Sequence, residues 1–141
     1  MLNASIWAVD YTKSDQIMVQ EIVQRVNAYR IANGLKKLNL SNALSSAAQQ
    51  HSLDMAKNRA KFGHDGFANR IKYLHNVLPK TTNGAENVAF NYKSAKIVVD
   101  GWFNSSGHKR NMLGHYDLTG IGLARNSRGQ IYFTQMFLKL A

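Results

Sequence analysis

The chain has 141 residues, no cysteine and a formal net charge of +10 at pH 7. This length suits one domain that buries about two thirds of its unfolded surface, and no apolar run approaches the roughly 18 residues that a membrane span requires. The absence of cysteine excludes disulfides and thiolate ligands, so any metal would take nitrogen and oxygen donors.

The excess of positive charge suits a polyanionic partner: nucleic acid, an acidic membrane surface or an anionic cell-wall polymer. Because the basic residues are spread along the chain and no nucleic-acid motif is present, we expect no nucleic-acid partner. The segment Met1–Ala8 is too short and uncharged for a secretory signal. We therefore expect either a cytoplasmic chain or a mature domain whose export signal lies outside this sequence. Residues 1–141 are expected to form a single domain, with residues 1–13 as an extended segment ahead of its core.

The first half of the chain predicts helices with clear start signals. Thr12, followed by Asp15 three residues later, is typical of a capping box, and apolar residues then recur at helical spacing until Gly34. Ser41 is the next candidate N-cap, and it opens a second predicted helix that runs to about Arg59.

Four histidines of this region and the loops differ in their surroundings. His51 lies on the apolar stripe of the second helix, which favours a buried, hydrogen-bonded core residue over a ligand. His64 stands in a glycine turn that precedes a short predicted helix over Phe67–Leu74. His75 and His115 lie in polar stretches and are expected to be exposed to solvent.

The segment Ala85–Tyr92 alternates like a strand and carries one unusual residue. Glu86 shares its face with Val88 and Phe90. A carboxylate on a buried face costs several kcal/mol unless it is paired, hydrogen-bonded or protonated. Glu86 therefore needs a partner, either as a structural brace held by backbone amides or as a ligand or base.

The next helix leads to a further histidine. Ser94 is its candidate N-cap and Trp102 points inward, after which His108 opens a short turn. The helix dipole disfavours the protonated form of an imidazole in a first turn, which leaves His108 available as a ligand or hydrogen-bond partner. If His64, Glu86 and His108 converge through the fold, they form either a metal site or a general acid/base site.

Two strands close the chain, over Leu118–Arg125 and Gln130–Leu138, joined by a turn rich in turn-forming residues. Gly120 and Gly122 share one face, so we expect another element to cross closely there. The predicted fold is α+β, with helices on both sides of a small antiparallel sheet.

Several stretches, taken in their order and spacing, resemble the CAP superfamily of cysteine-rich secretory proteins, antigen 5 and plant pathogenesis-related proteins, and most closely its bacterial SCP-like branch. They are VNAYRIANGLKKL (26–38), AAQQHSLDMAK (47–57), FGHDGF (62–67), GAENVA (84–89), WFNSSGHKRNML (102–113), TGIGLA (119–124) and YFTQMF (132–137). The resemblance implies a three-layer α-β-α sandwich with a small antiparallel sheet and a central cleft.

The resemblance also implies a site. By motif, its two histidines and its glutamate are His64, His108 and Glu86, often arranged around a divalent metal, while Ser105 stands where eukaryotic members have a second glutamate. Two histidines and one carboxylate suffice as ligands for zinc, the most suitable metal, with one position left for water. Because the family is predominantly exported, the resemblance implies an extracytoplasmic domain, secreted or anchored at the surface.

Two functions fit these residues. The one we favour is a monomeric binding module whose cleft takes a lipid or sterol, an anionic cell-wall polymer or a host molecule, as the resemblance implies. The alternative is a metal-dependent, peptidase-like hydrolase in which a zinc-bound water attacks the substrate. Against the enzyme, the sequence has no HExxH helix and no serine or cysteine with a recognisable paired base.

Overall fold

The computed structural model describes residues 9–141, so the sequence-based expectations for Met1–Ala8 lie outside it. The elements in chain order are α1 (Lys13–Ala32), β1 (Asn39–Leu40), α2 (Asn42–Ala56), α3 (Phe67–Val77), β2 (Thr81–Phe90), α4 (Ala95–Phe103), α5 (Ser106–Met112), β3 (Leu118–Arg125) and β4 (Ile131–Leu140). Within residues 9–141, none of the helices combines the length and apolarity needed to cross a membrane.

The three predicted N-caps are confirmed. The hydroxyl oxygens of Thr12, Ser41 and Ser94 each accept a hydrogen bond from the backbone N–H three residues later, at 3.2, 3.3 and 3.1 Å. Each bond satisfies one of the amides that a helix start leaves unpaired. These helix starts are therefore set by local sequence.

The third helix runs further than its sequence predicts. It ends at Val77 rather than Leu74, so His75 lies on a helix. The His75 side chain is half-buried, and its Nε2 lies 3.3 Å from the Asn83 carbonyl oxygen. The prediction of an exposed loop histidine was wrong for His75, whereas His115 is exposed as predicted.

The sheet has four strands in the order β1-β3-β4-β2. The antiparallel pairs β3–β4 and β2–β4 confirm the predicted arrangement. The sheet is nevertheless mixed, because β1 pairs with β3 in parallel through Asn39 and Leu40. Two residues are too few to show an alternating pattern, so the sequence predicted no strand between Gly34 and Ser41.

Helices cover both faces of this sheet, as the three-layer prediction requires. On one face α1, α4 and α5 enclose the larger apolar core, which includes Ile22, Val98 and Phe133. On the other face α2 and α3 cover a smaller cluster. Glu86 pairs across the sheet with Met136, a member of the smaller cluster, so its side chain projects towards α2 and α3.

The predicted close crossing at the two glycines of β3 is confirmed, and the crossing element is α2. A Cβ atom on Gly120 would lie 2.1 Å from the backbone nitrogen of Ser45, and one on Gly122 would lie 2.3 Å from the carbonyl carbon of Ala48. Neither glycine can therefore carry a side chain without moving the helix. The contact fixes the position of α2, including His51 on its next turn.

A buried arginine ties distant segments together on the other face. Arg30 is 1% exposed. Its guanidinium donates to the backbone carbonyls of Lys36, Met112, Gly114 and Tyr116 at 2.7–3.2 Å. Burial lowers the pKa of Arg30. The side chain thereby joins α1 to the chain between α5 and β3.

Candidate functional site

The turn before α3 places two polar side chains beside β2. Gly66 has φ +82°, a left-handed conformation that favours glycine, and a Cβ atom there would lie 3.1 Å from Nη1 of Arg70. That Nη1 atom donates to the carbonyl oxygen of Asp65 at 2.8 Å. The compact turn thus leaves room for the Arg70 side chain and directs it to the sheet, next to His64.

Glu86 is buried, as predicted, and its partner is an arginine. Its side chain is 1% exposed. Arg70 Nε donates to Oε2 at 2.7 Å and Nη2 donates to Oε1 at 2.9 Å, a bidentate ion pair. The Nδ1 atom of His64 lies 2.9 Å from the same Oε1. The carboxylate that required a partner therefore has two.

This contact determines which nitrogen His64 presents to solvent. Because a carboxylate only accepts, Nδ1 carries the proton and Nε2 holds a lone pair when the ring is neutral. The side chain of His64 is 51% exposed. His64 therefore offers solvent a hydrogen-bond acceptor whose orientation Glu86 fixes.

His51 is the buried, hydrogen-bonded residue that the sequence predicts, and it also borders this site. It is 2% exposed, and its Nε2–H donates to the carbonyl oxygen of Gly63 at 2.7 Å. Burial lowers the pKa of His51, so the ring is neutral and its 3.9 Å separation from Glu86 Oε1 is not an ion pair. The role of His51 here is to hold the turn that carries His64.

His108 lies on α5, with its ring directed at a different partner. Its Nδ1 lies 2.9 Å from the hydroxyl oxygen of Ser105, and its carbonyl oxygen accepts from the Asn87 side chain at 3.1 Å. Burial lowers the pKa of His108, and the nearby His64 imidazole lowers it further when that ring is protonated. The structure thus joins His64 to Glu86 by a direct hydrogen bond, whereas the His108 ring forms its hydrogen bond with Ser105.

A cleft opens where α5 meets the free edge of β2. Asn111 from α5 donates to the backbone carbonyl of Glu86 at 3.2 Å and to the Asn87 side chain at 2.8 Å. The volume of this edge cleft is about 280 Å³. It is lined by His64, Phe67, Gly84, Ala85, Glu86, Asn111 and Tyr116.

In the described part of the chain, the three predicted zinc ligands are not gathered into one ligand set. Over residues 9–141, no three His, Asp or Glu side chains are grouped so that they could hold a metal ion. Arg70 already binds both oxygens of Glu86, so a cation at this carboxylate would have to displace the guanidinium. A zinc ion held jointly by His64, Glu86 and His108 stays a prediction for experiment.

The Ser105–His108 contact does not amount to a catalytic triad. The two residues are three positions apart around the start of α5. In the part of the chain that the structure describes, no carboxylate contacts the His108 ring to orient it. A serine nucleophile with a matched base is therefore not assembled here.

Sequence reasoning missed Arg70 and Asn111 as members of the site. The burial of Glu86 was a signal that a cationic or donor group must approach it. The sequence holds 18 lysines and arginines, however, and nothing in the local pattern distinguishes Arg70 from the others.

The chain matches one protein family over most of its length and is similar to a curated bacterial protein. Residues 23–137 match the family described as the cysteine-rich secretory protein family, CAP. The uncharacterized membrane protein YlbC of Bacillus subtilis is 31% identical over 127 residues, which cover 85% of this chain and 34% of that protein. The chain therefore spans about a third of the length of this curated relative.

Two solved structures share the fold at lower sequence identity. An extracellular protein of Bacillus anthracis that contains an SCP domain superposes with a TM-score of 0.72 at 24% identity, covering 94% of this chain and 45% of that one. An outer surface protein of Borrelia burgdorferi superposes with a TM-score of 0.71 at 21% identity, covering 94% of this chain and 97% of that one.

Proposed function

The chain belongs to the cysteine-rich secretory protein (CAP) family, and we propose that it is an extracytoplasmic binding module whose edge cleft holds one unit of a cell-wall polymer. The observation that carries the proposal is the state of Glu86. Its carboxylate is bound by Arg70 and His64, so it is not free to act as a general base. What the site offers a ligand is hydrogen bonding and shape.

The size of the edge cleft supports a polymer unit over a whole lipid. Clefts that enclose a drug-sized molecule measure roughly 300–1,000 Å³, and this one measures about 280 Å³. A complete sterol would protrude, whereas one sugar ring or one amino-acid residue fits. The net charge of +10 favours a polymer that is anionic.

The groups around the edge cleft suit a polar ligand. His64 contributes an oriented acceptor, and Phe67 and Tyr116 contribute aromatic surface. The extracytoplasmic location is proposed because two proteins that share this fold are named as extracellular and outer-surface proteins. Host molecules remain a second source of such a ligand.

A metal-dependent hydrolase is the second candidate, and one observation favours it. Within residues 9–141, the Nε2 atoms of His64 and His108 have no hydrogen-bond partner, so both are available to a metal. A zinc ion bound there would supply an activated water.

Calorimetry on the whole chain tests the first candidate. Soluble fragments of bacterial cell wall are titrated into the unchanged protein, into His64→Ala and into His115→Ala, a matched change of an exposed histidine. We expect His64→Ala to weaken binding about tenfold or more, because it removes an oriented hydrogen bond and part of the cleft wall. His115→Ala should leave the affinity unchanged, and equal affinities for all three proteins would contradict the proposal.

Zinc titration separates the two candidates. If the cleft is a binding site alone, a chelator leaves the affinity for the wall fragment unchanged and no fragment is cleaved. Release of new products that requires zinc, and that both a chelator and His108→Ala abolish, would favour the hydrolase. Glu86→Gln serves as a further control. Its affinity for zinc should be lower than that of the unchanged protein only if the Glu86 carboxylate is one of the metal ligands.

A further inference from the structure

Three aromatic side chains form a cluster on the outer surface, at the end of the sheet where β2 stops. Phe62 and Phe90 are 54% and 40% exposed, and their ring centroids lie 6.3 Å apart. Tyr132 pairs with Phe90 across the sheet and lies 4.9 Å from it and 6.4 Å from Phe62. We call these three residues the aromatic patch. Exposed apolar side chains gathered in this way mark an interaction surface.

Three basic residues lie close to the aromatic patch along the chain. Lys61 directly precedes its first member, and Nζ of Lys93 lies 3.3 Å from the Asn91 side chain, which directly follows the second. Arg128 lies in the turn that leads to the third. All three cations are exposed, and none of them forms a salt bridge with another residue in the range 9–141. Their charge is therefore available to an anionic partner.

We propose that the aromatic patch docks on an anionic lipid bilayer, with Phe62 and Phe90 entering the boundary between headgroups and acyl chains. Phenylalanine rings gain free energy in hydrocarbon, and neighbouring lysines are attracted to anionic headgroups. A soluble polyanion would engage the cations, but it has no hydrocarbon interior in which two exposed phenylalanine rings could be buried. The patch residues do not line the edge cleft, so the proposal is independent of the proposed function.

Sedimentation with lipid vesicles tests the proposal on the full chain. The vesicles contain phosphatidylglycerol and phosphatidylcholine, and the test variant combines Phe62→Ser with Phe90→Ser. The matched control combines Ile17→Ser with Ile97→Ser, two apolar residues on α1 and α4 that are 58% and 49% exposed. We expect the patch variant to partition at least about tenfold more weakly, and the control to partition like the unchanged protein.

Three outcomes would overturn the proposal. The first is equal partitioning of the patch variant and the control, which would mean that net charge alone drives adsorption. The second is equally tight binding to vesicles of pure phosphatidylcholine. The third is that the patch variant loses as much affinity for a soluble sulfated polysaccharide as it loses for vesicles, which would mean that the surface binds polymers. Circular dichroism on each variant ensures that a loss of binding is not a loss of fold.

A spectroscopic measurement reports on the depth of insertion. Tyr132→Trp places an indole in the aromatic patch. Because the sequence already holds two tryptophans, the fluorescence of the new indole is the difference between the emission spectra of the variant and the unchanged protein. We expect a blue shift with anionic vesicles and quenching by lipids brominated on their acyl chains. An emission spectrum that the vesicles leave unchanged would contradict insertion.

Discussion

Two arginines of this protein are held in opposite ways. Arg30 is almost fully buried and donates to four backbone carbonyls, and within residues 9–141 no carboxylate directly contacts its guanidinium. Arg70 has a side chain that is 15% exposed, and it binds the carboxylate of Glu86 through two nitrogens. One guanidinium satisfies the main chain, and the other neutralises an acid.

The difference separates a structural contact from a site contact. Arg30 donates only to backbone carbonyls, so it reaches the edge cleft indirectly, by holding the chain segment that carries Tyr116. Its loss should therefore act mainly on stability. The acceptor of Arg70 also receives a hydrogen bond from His64, which faces the edge cleft. Its loss should therefore affect stability and ligand binding together, and the denaturation experiments below compare the two arginines in their contribution to stability.

The largest expected effect is that of Arg30→Met. The change leaves four buried or partly buried carbonyls without their donor, and each hydrogen bond to a charged group contributes about 1.5–3 kcal/mol. We expect the free energy of unfolding to fall by about 4 kcal/mol or more, as measured by urea denaturation. Arg110→Met, on the exposed surface of α5, is the control. A loss below about 1 kcal/mol for Arg30→Met would show that water replaces the guanidinium.

The second effect in size is that of Arg70→Met. It leaves the Glu86 carboxylate buried without its cation, which we expect to cost about 3 kcal/mol at pH 7. Combining the change with Glu86→Gln should recover part of this loss, because no buried charge then lacks a partner. Urea denaturation of both single variants and the double variant measures the coupling. Strictly additive losses would mean that the pair contributes nothing as a pair.

The smallest expected effect concerns the pH dependence of stability. Burial lowers the pKa of His51 below its ordinary value of 6.5, so the unfolded chain binds the proton more readily. The free energy of unfolding should therefore decrease as the pH falls through about 6.5. His51→Gln keeps a donor for the Gly63 carbonyl but cannot titrate, so its pH dependence between about 5 and 7 should be flatter. His115→Gln is the exposed control, and an unchanged slope for His51→Gln would contradict the assignment.

The parts of the fold that the sequence predicted depend on neighbouring residues. The hydroxyls of Thr12, Ser41 and Ser94 cap their own helices, and a cap involves residues only three positions apart. The burial of Glu86 followed from the alternation of its own strand. The two-residue strand β1 was not predicted, because its pairing with Leu118 and Thr119 is a long-range contact.

The site was predicted less completely because its contacts depend on how elements are placed. His64 and Glu86 were identified, but the partner that neutralises the carboxylate comes from one turn into α3, a location that no pattern in β2 specifies. His51 was correctly assigned to the core, yet its proximity to Glu86 depends on where α2 crosses the sheet. His108 was grouped with the others, and its ring instead bonds Ser105.

The seating of α2 on Gly120 and Gly122 has a consequence for which parts of the molecule can move. A helix whose main chain rests on a strand, with no side chains between them, has no room to slide or rock. The helix that carries His51 is therefore held in a fixed position behind the site. Any change in the width of the edge cleft would have to come from its own walls, which are α5 and α3 with the turn before it, so His64 could shift while His51 keeps its position.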